Sequence, residues 1–417
     1  MTEVGIIPED WSTRKISDFS SVVRGGSPRP AGDPKYFNGS FIPWLTVAAL
    51  TNIPESQLYI DRTATFLTEE GSKYSRTIDK DTLIIANSGA TLGVAKILRI
   101  TCCANDGIAA LLDLTDVDNR FICYYINSQT RRLREIVATG NGQPNLNTGL
   151  IGNILIPIPA TIDEQRSIAD ALSEVDAEIA TLDEVIAKKK NLKQGAMQRL
   201  LTGEERLSGF SAEWHEKSFS DLFIPLKTAS NPRSQLSEMG DVKYIHYGDI
   251  HQRWSTYLDC EKEELPYIDQ SRVKTIPYVK SGDLVMADAS EDYEGIGVSV
   301  ELKNVGDMKV VAGLHTLLLR GNDTLLADGF KGYLQYIPDV KRQLIELATG
   351  ISVYGISKSS IQSVMVFLPD TDEQRAITTI LSDMDEEIIA LEGQREKTVV
   401  LKQGMMQELL TGKTRLV

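Results

Sequence analysis

The feature that most constrains this chain is a segment that occurs twice. Residues 192–203 read "LKQGAMQRLLTG" and residues 401–412 read "LKQGMMQELLTG". The likeness extends upstream, because residues 163–203 and 372–412 align without a gap and share 22 of 41 residues. A repeat of this length at a separation of 209 positions indicates that the chain contains two copies of one structural unit.

Each copy predicts a helix of about 40 residues, or roughly 60 Å at about 1.5 Å per residue. Apolar residues recur at steps of three and four, which is the heptad pattern of two helices that pack at a shallow angle. Thr161 or Asp163 and, in the second copy, Thr371 are the expected helix caps. Gly203 and Gly412 suit the left-handed residue that terminates a helix.

The stripe predicts the face through which the two helices pack against each other. Its predicted members are Ile168, Leu172, Val175, Ile179, Leu182, Leu192 and Leu200 in the first copy, and Ile377, Leu381, Met384, Ile388, Leu391, Leu401 and Leu409 in the second. Gly195 and Gly404 lie inside the predicted helices, where each costs about 1 kcal/mol relative to alanine. Two explanations remain open for these glycines, namely tolerated flexibility and close approach of another helix.

The segments before each helix predict globular domains that contain both strands and helices. Short apolar runs such as "TLIIA", "VAKIL" and "DLVMA" are bounded by Gly, Asp and Asn, which is typical of strands. The predicted fold is therefore α+β, with two globular domains separated by two long antiparallel coiled-coil helices in a pseudo-twofold internal repeat. The predicted boundaries are 1–158 and 204–370 for the globular domains, and 159–203 and 371–417 for the helices.

Composition restricts the possible environments. Four cysteines without a C-x-x-C pair, and no secretory signal at the start, favour a reducing, cytoplasmic location without a zinc site. No stretch is long and apolar enough to span a membrane. The net charge is −14, and no segment of the chain has the excess of Lys and Arg of a basic polyelectrolyte-binding tail, so any DNA contact would need clustered cations or help from a partner.

The order of parts resembles the specificity (S) subunit of type I restriction–modification systems. The resemblance covers nearly the whole chain and is strongest in the "DEQR…LLTG" helices and in "VVRGGSPRPAGDPKYFNGSFIPWL", "DTLIIANSGATLGVAKI" and "GNGQPNLNTGLIGNILIPIP". It implies that each globular domain is a target recognition domain that reads one half of a bipartite, asymmetric DNA sequence. It further implies two S-adenosylmethionine-dependent adenine methyltransferase (modification) subunits docked on the helices, and restriction subunits with an ATP-dependent nuclease and translocase. The second domain departs from the pattern, with "TGISVYGIS" where the first has "TGNGQPNLN".

Catalytic motifs are missing from the sequence. "NPRS" at residues 231–234 lacks the second proline and the aromatic of an adenine methyltransferase motif, and "GKT" at residues 412–414 lacks the upstream glycine of a phosphate-binding loop. We therefore expect a non-catalytic subunit that binds no cofactor or metal itself, with S-adenosylmethionine held by its partners.

Side chains that can reach bases or phosphates define the candidate DNA contacts, because Arg suits guanine and phosphate while Asn and Gln suit adenine. They lie in Gly- or Pro-rich loops, for which ordinary solvated loops or structural turns are the alternative. The candidates are Arg24, Ser27, Arg29, Lys35, Asn87, Ser88, Thr91, Gln143, Asn145 and Asn147 in the first domain, and Lys227, Arg233, His246, Tyr247, His251 and Arg253 in the second.

Two other functions remain open. A solitary specificity subunit could serve a methyltransferase without restriction. A coiled-coil scaffold whose globular domains bind polypeptides is the remaining alternative, and its support is the acidic balance of the chain.

Overall fold

The computed structural model describes residues 6–138 and 144–416. Two helices of 39 residues dominate it, the first spacer helix at Ile162–Leu200 and the second spacer helix at Thr371–Leu409. The chain divides into two compact units, and the division falls inside both spacer helices. Unit 1 comprises Met1–Ile186 with Ala390–Val417, and unit 2 comprises Ala187–Ile389.

Within each unit, a segment of one spacer helix lies antiparallel to a segment of the other. In unit 1, Asp176 pairs with Lys402 and Asp183 with Arg395, so residue numbers rise along one helix as they fall along the other. In unit 2, Lys189 pairs with Glu387 and Lys193 with Asp385, in the same sense. The predicted antiparallel helix pair is confirmed.

The helix ends follow the expected chemistry with one correction. The Oγ1 of Thr161 accepts a hydrogen bond from the backbone N–H of Glu164 at 3.2 Å. In the second copy the cap is Asp370, whose carboxylate accepts from the N–H of Glu373 at 2.9 Å, and Thr371 is already the first helical residue. Gly203 and Gly412 have φ of 74° and 72°, so both helices terminate at a left-handed glycine.

Most of the apolar stripe is buried, because it packs against the other spacer helix or the adjacent globular domain. Leu192 and Leu401 differ, with 51% and 56% of their surface exposed. The expectation that the contact face between the helices continues through Leu192 and Leu401 is therefore wrong, whereas docking of partner proteins at these two positions stays a prediction. A side chain on Gly404 would meet nothing within 4 Å, so close approach of a helix within this chain does not explain that glycine.

The globular part of unit 1 contains a five-stranded sheet in the order β2-β10-β7-β8-β4, a four-stranded sheet in the order β5-β3-β9-β6, and the pair β1-β11. The strands are β1 Ser12–Lys15, β2 Ser21–Arg24, β3 Phe37–Leu45, β4 Tyr59–Ile60, β5 Thr65–Leu67, β6 Arg76–Ile78, β7 Leu83–Ala86, β8 Ala95–Leu98, β9 Cys102–Ala104, β10 Ile108–Leu112 and β11 Leu155–Ile158. The helices are Val47–Thr51, Glu69–Ser72, Asn119–Ser128, Thr130–Arg132 and Thr148–Gly152, with a 3-10 turn at Ile16–Asp18 and a π turn at Leu133–Val137.

The globular part of unit 2 repeats this arrangement, with a five-stranded sheet in the order β13-β21-β17-β19-β15 and a smaller sheet in the order β16-β14-β20. The strands are β12 His215–Ser218, β13 Phe223–Leu226, β14 Val242–Ile245, β15 Tyr257–Asp259, β16 Tyr267–Ile268, β17 Leu284–Ala287, β18 Ala289–Ser290, β19 Ser299–Lys303, β20 Val310–Ala312, β21 Thr316–Gly321, β22 Tyr354–Gly355 and β23 Met365–Leu368. The helices are Phe219–Leu222, Tyr247–Gln252 and Pro338–Leu347, with 3-10 turns at Arg233–Gln235, Gln270–Arg272, Lys331–Tyr336 and Ser360–Ser363.

The two five-stranded sheets match strand for strand, since β2, β10, β7, β8 and β4 correspond in order and direction to β13, β21, β17, β19 and β15. Each sheet packs its inner face on apolar residues of the spacer helices and of several short helices and turns. The α+β fold with an internal repeat is confirmed, and the duplication includes the globular domains.

Candidate DNA interface

In unit 1, three loops that the sequence singled out meet at one surface. The N–H of Asn87, which follows β7, donates to the carbonyl of Gly107 at 2.9 Å. The N–H of Leu146 donates to the carbonyl of Asn87, also at 2.9 Å. The N–H of Gly25, which follows β2, donates to Ile108 at 2.8 Å. Backbone hydrogen bonds thus gather loops that are far apart in sequence around the β9–β10 turn.

Asp106 lies between the cationic side chains of this surface, although the sequence did not predict it as a site residue. Its Oδ1 accepts from the hydroxyl of Ser27 at 2.6 Å, and its Oδ2 lies 3.9 Å from a guanidinium nitrogen of both Arg24 and Arg29. The hydrogen bond from Ser27 and the two guanidinium groups keep the pKa of the Asp106 carboxyl below its usual value. Two arginines on one carboxylate leave a net positive patch, and Arg29 remains three-quarters exposed.

Three other candidate residues of unit 1 are buried or form hydrogen bonds that stabilise the fold. Asn87 is buried, and its amide donates to the carbonyl of Asp106 at 3.3 Å. Thr91 is also buried. Asn147 caps the helix Thr148–Gly152, because its side chain accepts from the N–H of Leu150 at 2.9 Å. Base contact by Asn87 or Thr91 would need a change of conformation.

The remaining candidates of unit 1 stay predictions. Lys35 is exposed, with its ammonium 5.3 Å from the ring centroid of Tyr36. Ser88 and Asn145 are partly exposed at the same surface as Asn87 and Leu146. Gln143 lies outside the described residues.

Unit 2 builds the equivalent surface with the same backbone pattern. The N–H of Asp288, which follows β17, donates to the carbonyl of His315 at 3.1 Å, and the N–H of Ile356 donates to Asp288 at 2.8 Å. Asp288 therefore occupies the place of Asn87, and His315 that of Gly107. Residues 313–315 read "GLH", where the equivalent turn of unit 1 reads "NDG" at residues 105–107. Leu314 therefore stands in the place of Asp106, and unit 2 lacks a carboxylate at this position of the turn.

Aromatic and imidazole groups line this second surface. The ring of Tyr247 lies 4.8 Å from that of His246, 6.3 Å from His251 and 5.3 Å from His315, measured between centroids. His246 caps the helix Tyr247–Gln252, because its Nδ1 accepts from the N–H of Gly248 at 3.1 Å. Burial lowers the pKa of His246, which favours the neutral acceptor form. Three of the four histidines of the chain thus converge here.

The predicted cationic side chains of unit 2 contact neighbouring side chains of the same unit. Arg233 contacts the carboxylate of Asp249 at 2.6 Å, and Arg253 contacts that of Glu263 at 2.9 Å. Lys227 donates to the hydroxyl of Thr275 at 3.1 Å. His315 was not predicted, because a lone histidine before an apolar run carries no sequence signal. In the part of the chain that the structure describes, no group of three or more His, Cys, Asp or Glu residues could hold a metal ion.

The two units thus present surfaces of different chemistry on one repeated scaffold. Residues 8–191 match the family described as "Type I restriction modification DNA specificity domain". The chain is 24% identical to the MjaVIII specificity subunit of Methanocaldococcus jannaschii, over 98% of this chain and 94% of that protein. It is 21% identical to the EcoKI specificity subunit of Escherichia coli K12, over 97% and 89%.

Solved structures agree in fold. The S subunit of a type I restriction–modification system from M. genitalium superposes with a TM-score of 0.57 at 14% identity, covering 98% of both chains. A chain from a structure on complex assembly and conformational transition of the type I system gives 0.60 at 15% identity, over 98% of this chain and 100% of that one.

The chain is therefore similar, over nearly its whole length, to the specificity subunits of type I restriction–modification systems. Its function is DNA sequence recognition, and in this family the specificity subunit is a non-catalytic component of the complex. Among the described residues, no helix is both long enough and apolar enough to cross a membrane.

Proposed function

We propose that this chain reads an asymmetric, bipartite DNA target, with one half-site for each unit. The observation that carries the proposal is the contrast between the two surfaces. Unit 1 presents Arg24, Ser27 and Arg29 around Asp106, whereas unit 2 presents Tyr247 and His315 at the equivalent loops. Base edges are distinguished by the donors and acceptors offered to them, so different side chains on one scaffold favour different half-sites.

The spacer helices would dock two like modification subunits. Leu192 and Leu401 occupy equivalent positions in the two copies and are both more than half exposed. Because the two copies present a leucine at the same helical position, one kind of partner would find an equivalent contact on each copy. Those partners would hold S-adenosylmethionine and methylate adenine, and restriction subunits with an ATP-dependent nuclease and translocase would join for cleavage.

A domain exchange tests the bipartite reading. The chain is co-expressed with its modification subunits in a host without competing methylation, and methylated adenines are mapped across the genome. We expect a motif with two specified halves and an unspecified spacer. Replacing residues 1–158 by another recognition domain should change one half of the motif, whereas a change in both halves would contradict independent reading.

A leucine double variant tests docking. Leu192→Ser with Leu401→Ser should weaken binding of the modification subunits at least tenfold, measured by titration calorimetry, while leaving the melting temperature unchanged. Val400→Ser is the matched control, because Val400 is 59% exposed but corresponds to polar Asn191 in the first copy. Equal losses in the control and the double variant would refute these leucines as the shared docking position.

A further inference from the structure

His315 has a backbone conformation that is uncommon for a residue with a side chain. It precedes β21 with φ of 57°, in the left-handed region that glycine adopts readily and that only a few per cent of other residues adopt. The equivalent place in unit 1 holds Gly107. A residue kept in an unfavourable conformation suggests that its side chain serves a purpose other than folding.

A contact with Asp288 orients the imidazole of His315, because the ring Nδ1 lies 3.2 Å from the Oδ1 of Asp288. The backbones of the two residues are also joined, since the main-chain carbonyl of His315 accepts from the N–H of Asp288 at 3.1 Å. The carboxylate can only accept, so the hydrogen must lie on Nδ1 of the imidazole. In the neutral ring this leaves Nε2 as a hydrogen-bond acceptor. The edge-on contact with Tyr247, at an interplanar angle of 73°, further restricts the ring.

The other two imidazoles at this surface are engaged in structural contacts. His246 is buried and uses Nδ1 as a helix cap. The Nε2 of His251 lies 2.9 Å from the carbonyl of Ala289, so this nitrogen must donate. His315 has half of its side chain exposed. It therefore combines an oriented ring with access to a ligand.

We propose that His315 is a base-reading residue of unit 2, whose Nε2 accepts a hydrogen bond from the exocyclic amino group of an adenine or cytosine. In the major groove, adenine N6 and cytosine N4 present donors, whereas guanine O6 and thymine O4 present acceptors that would repel Nε2. Asp288 acts as a positioning residue, because it sets the tautomer. This inference rests on the proposed function and assigns one discriminating contact within the half-site of unit 2.

His315→Gly is the informative variant, because glycine adopts the local φ without strain and the fold should be kept. The specificity chain with its modification subunits is titrated with duplexes that carry each of the four base pairs at every position of both half-sites. For the unaltered protein we expect at least a tenfold preference for adenine or cytosine over guanine or thymine at one position. His315→Gly should reduce that preference to within about twofold and leave the other half-site unchanged.

Two further variants separate this role from a structural one. Asp288→Ala, which frees the ring, should weaken the same preference without affecting the other positions. His215→Ser is the control, because His215 is exposed on β12. The assignment is overturned if His315→Gly retains the preference, or if it lowers the melting temperature and weakens both half-sites alike. If instead the unaltered complex shows no bipartite motif, the proposed function itself fails.

Discussion

The ammonium of Lys402 lies 2.6 Å from the Oδ1 of Asp176 in unit 1, and Lys193 pairs with Asp385 in unit 2. Both pairs join the second half of one copy to the first half of the other, at positions related by the offset of 209. A tyrosine hydroxyl donates to each aspartate, 2.7 Å from Asp176 and 3.4 Å from Asp385. The donors, Tyr124 and Tyr333, are related by the same offset.

A second ion pair repeats in the same way. Arg415 contacts Glu164 at 2.8 Å in unit 1, and Arg206 contacts Glu373 at 2.7 Å in unit 2. Each arginine also lies over a tryptophan ring, at 5.8 Å and 5.6 Å from the centroid. The buried polar contacts of the helix pair are therefore duplicated together with its apolar stripe.

Removing the ammonium from the first pair should destabilise unit 1. Lys402 and Asp176 are 13% and 8% exposed at their side chains, so Lys402→Met leaves a buried carboxylate without its cation. We expect a loss of about 3 kcal/mol in the free energy of unfolding, measured by urea denaturation. Arg375→Ala removes an exposed pair with Asp372 and should cost about 0.5 kcal/mol or less. Similar losses in the two variants would contradict a buried role for Lys402.

The same variant should show a specific dependence on pH. Burial raises the pKa of Asp176, and Lys402 opposes that effect, so Lys402→Met should raise this pKa further. Between the usual value of 3.8 and the raised pKa, the folded state binds more protons than the unfolded state, and stability falls as pH rises. The loss in the free energy of unfolding caused by Lys402→Met should therefore become smaller as the pH drops towards 4. Adding Asp176→Asn should make that loss independent of pH. A deficit that is constant from pH 4 to 8 would argue against titration of Asp176.

His246 should make the stability of unit 2 fall in mild acid. Burial lowers the pKa of this imidazole below 6.5, so between the two values the unfolded state binds more protons than the folded state. One such proton contributes at most about 1.4 kcal/mol per pH unit. His246→Thr introduces the residue that caps the equivalent helix as Thr46, and it should flatten the dependence seen by calorimetry below pH 6.5. An unchanged slope would assign the effect to other groups.

Gly404→Ala should stabilise the second spacer helix. The position lies inside a helix, and an added Cβ would meet nothing within 4 Å. We expect a gain of about 0.5–1 kcal/mol in thermal unfolding, since alanine restricts the unfolded chain and favours the helix. Gly412→Ala is the contrasting variant and should lose stability, because φ there is 72° and a Cβ would approach Pro8 at 2.6 Å. A loss in Gly404→Ala would indicate a close partner at that glycine.

The spacer helices and their ends follow from local patterns, because heptad spacing, caps and terminal glycines act within a few turns of helix. The α+β class was predicted from short strand-like runs bounded by Gly, Asp and Asn, and the antiparallel pairing from the repeat and the resemblance of the whole chain. The sequence also identified loops near the candidate interface, since Gly, Pro and Asn mark turns locally.

Which side chains of those loops remain available depends on contacts that form in the folded protein. Asn87 became a buried partner of the Asp106 carbonyl, Arg253 was bound by Glu263, and Leu192 turned outward. His315 acquired a role through a contact with Asp288, 27 residues away. Burial and hydrogen-bond partners are set by segments distant in sequence, so no local pattern can specify them.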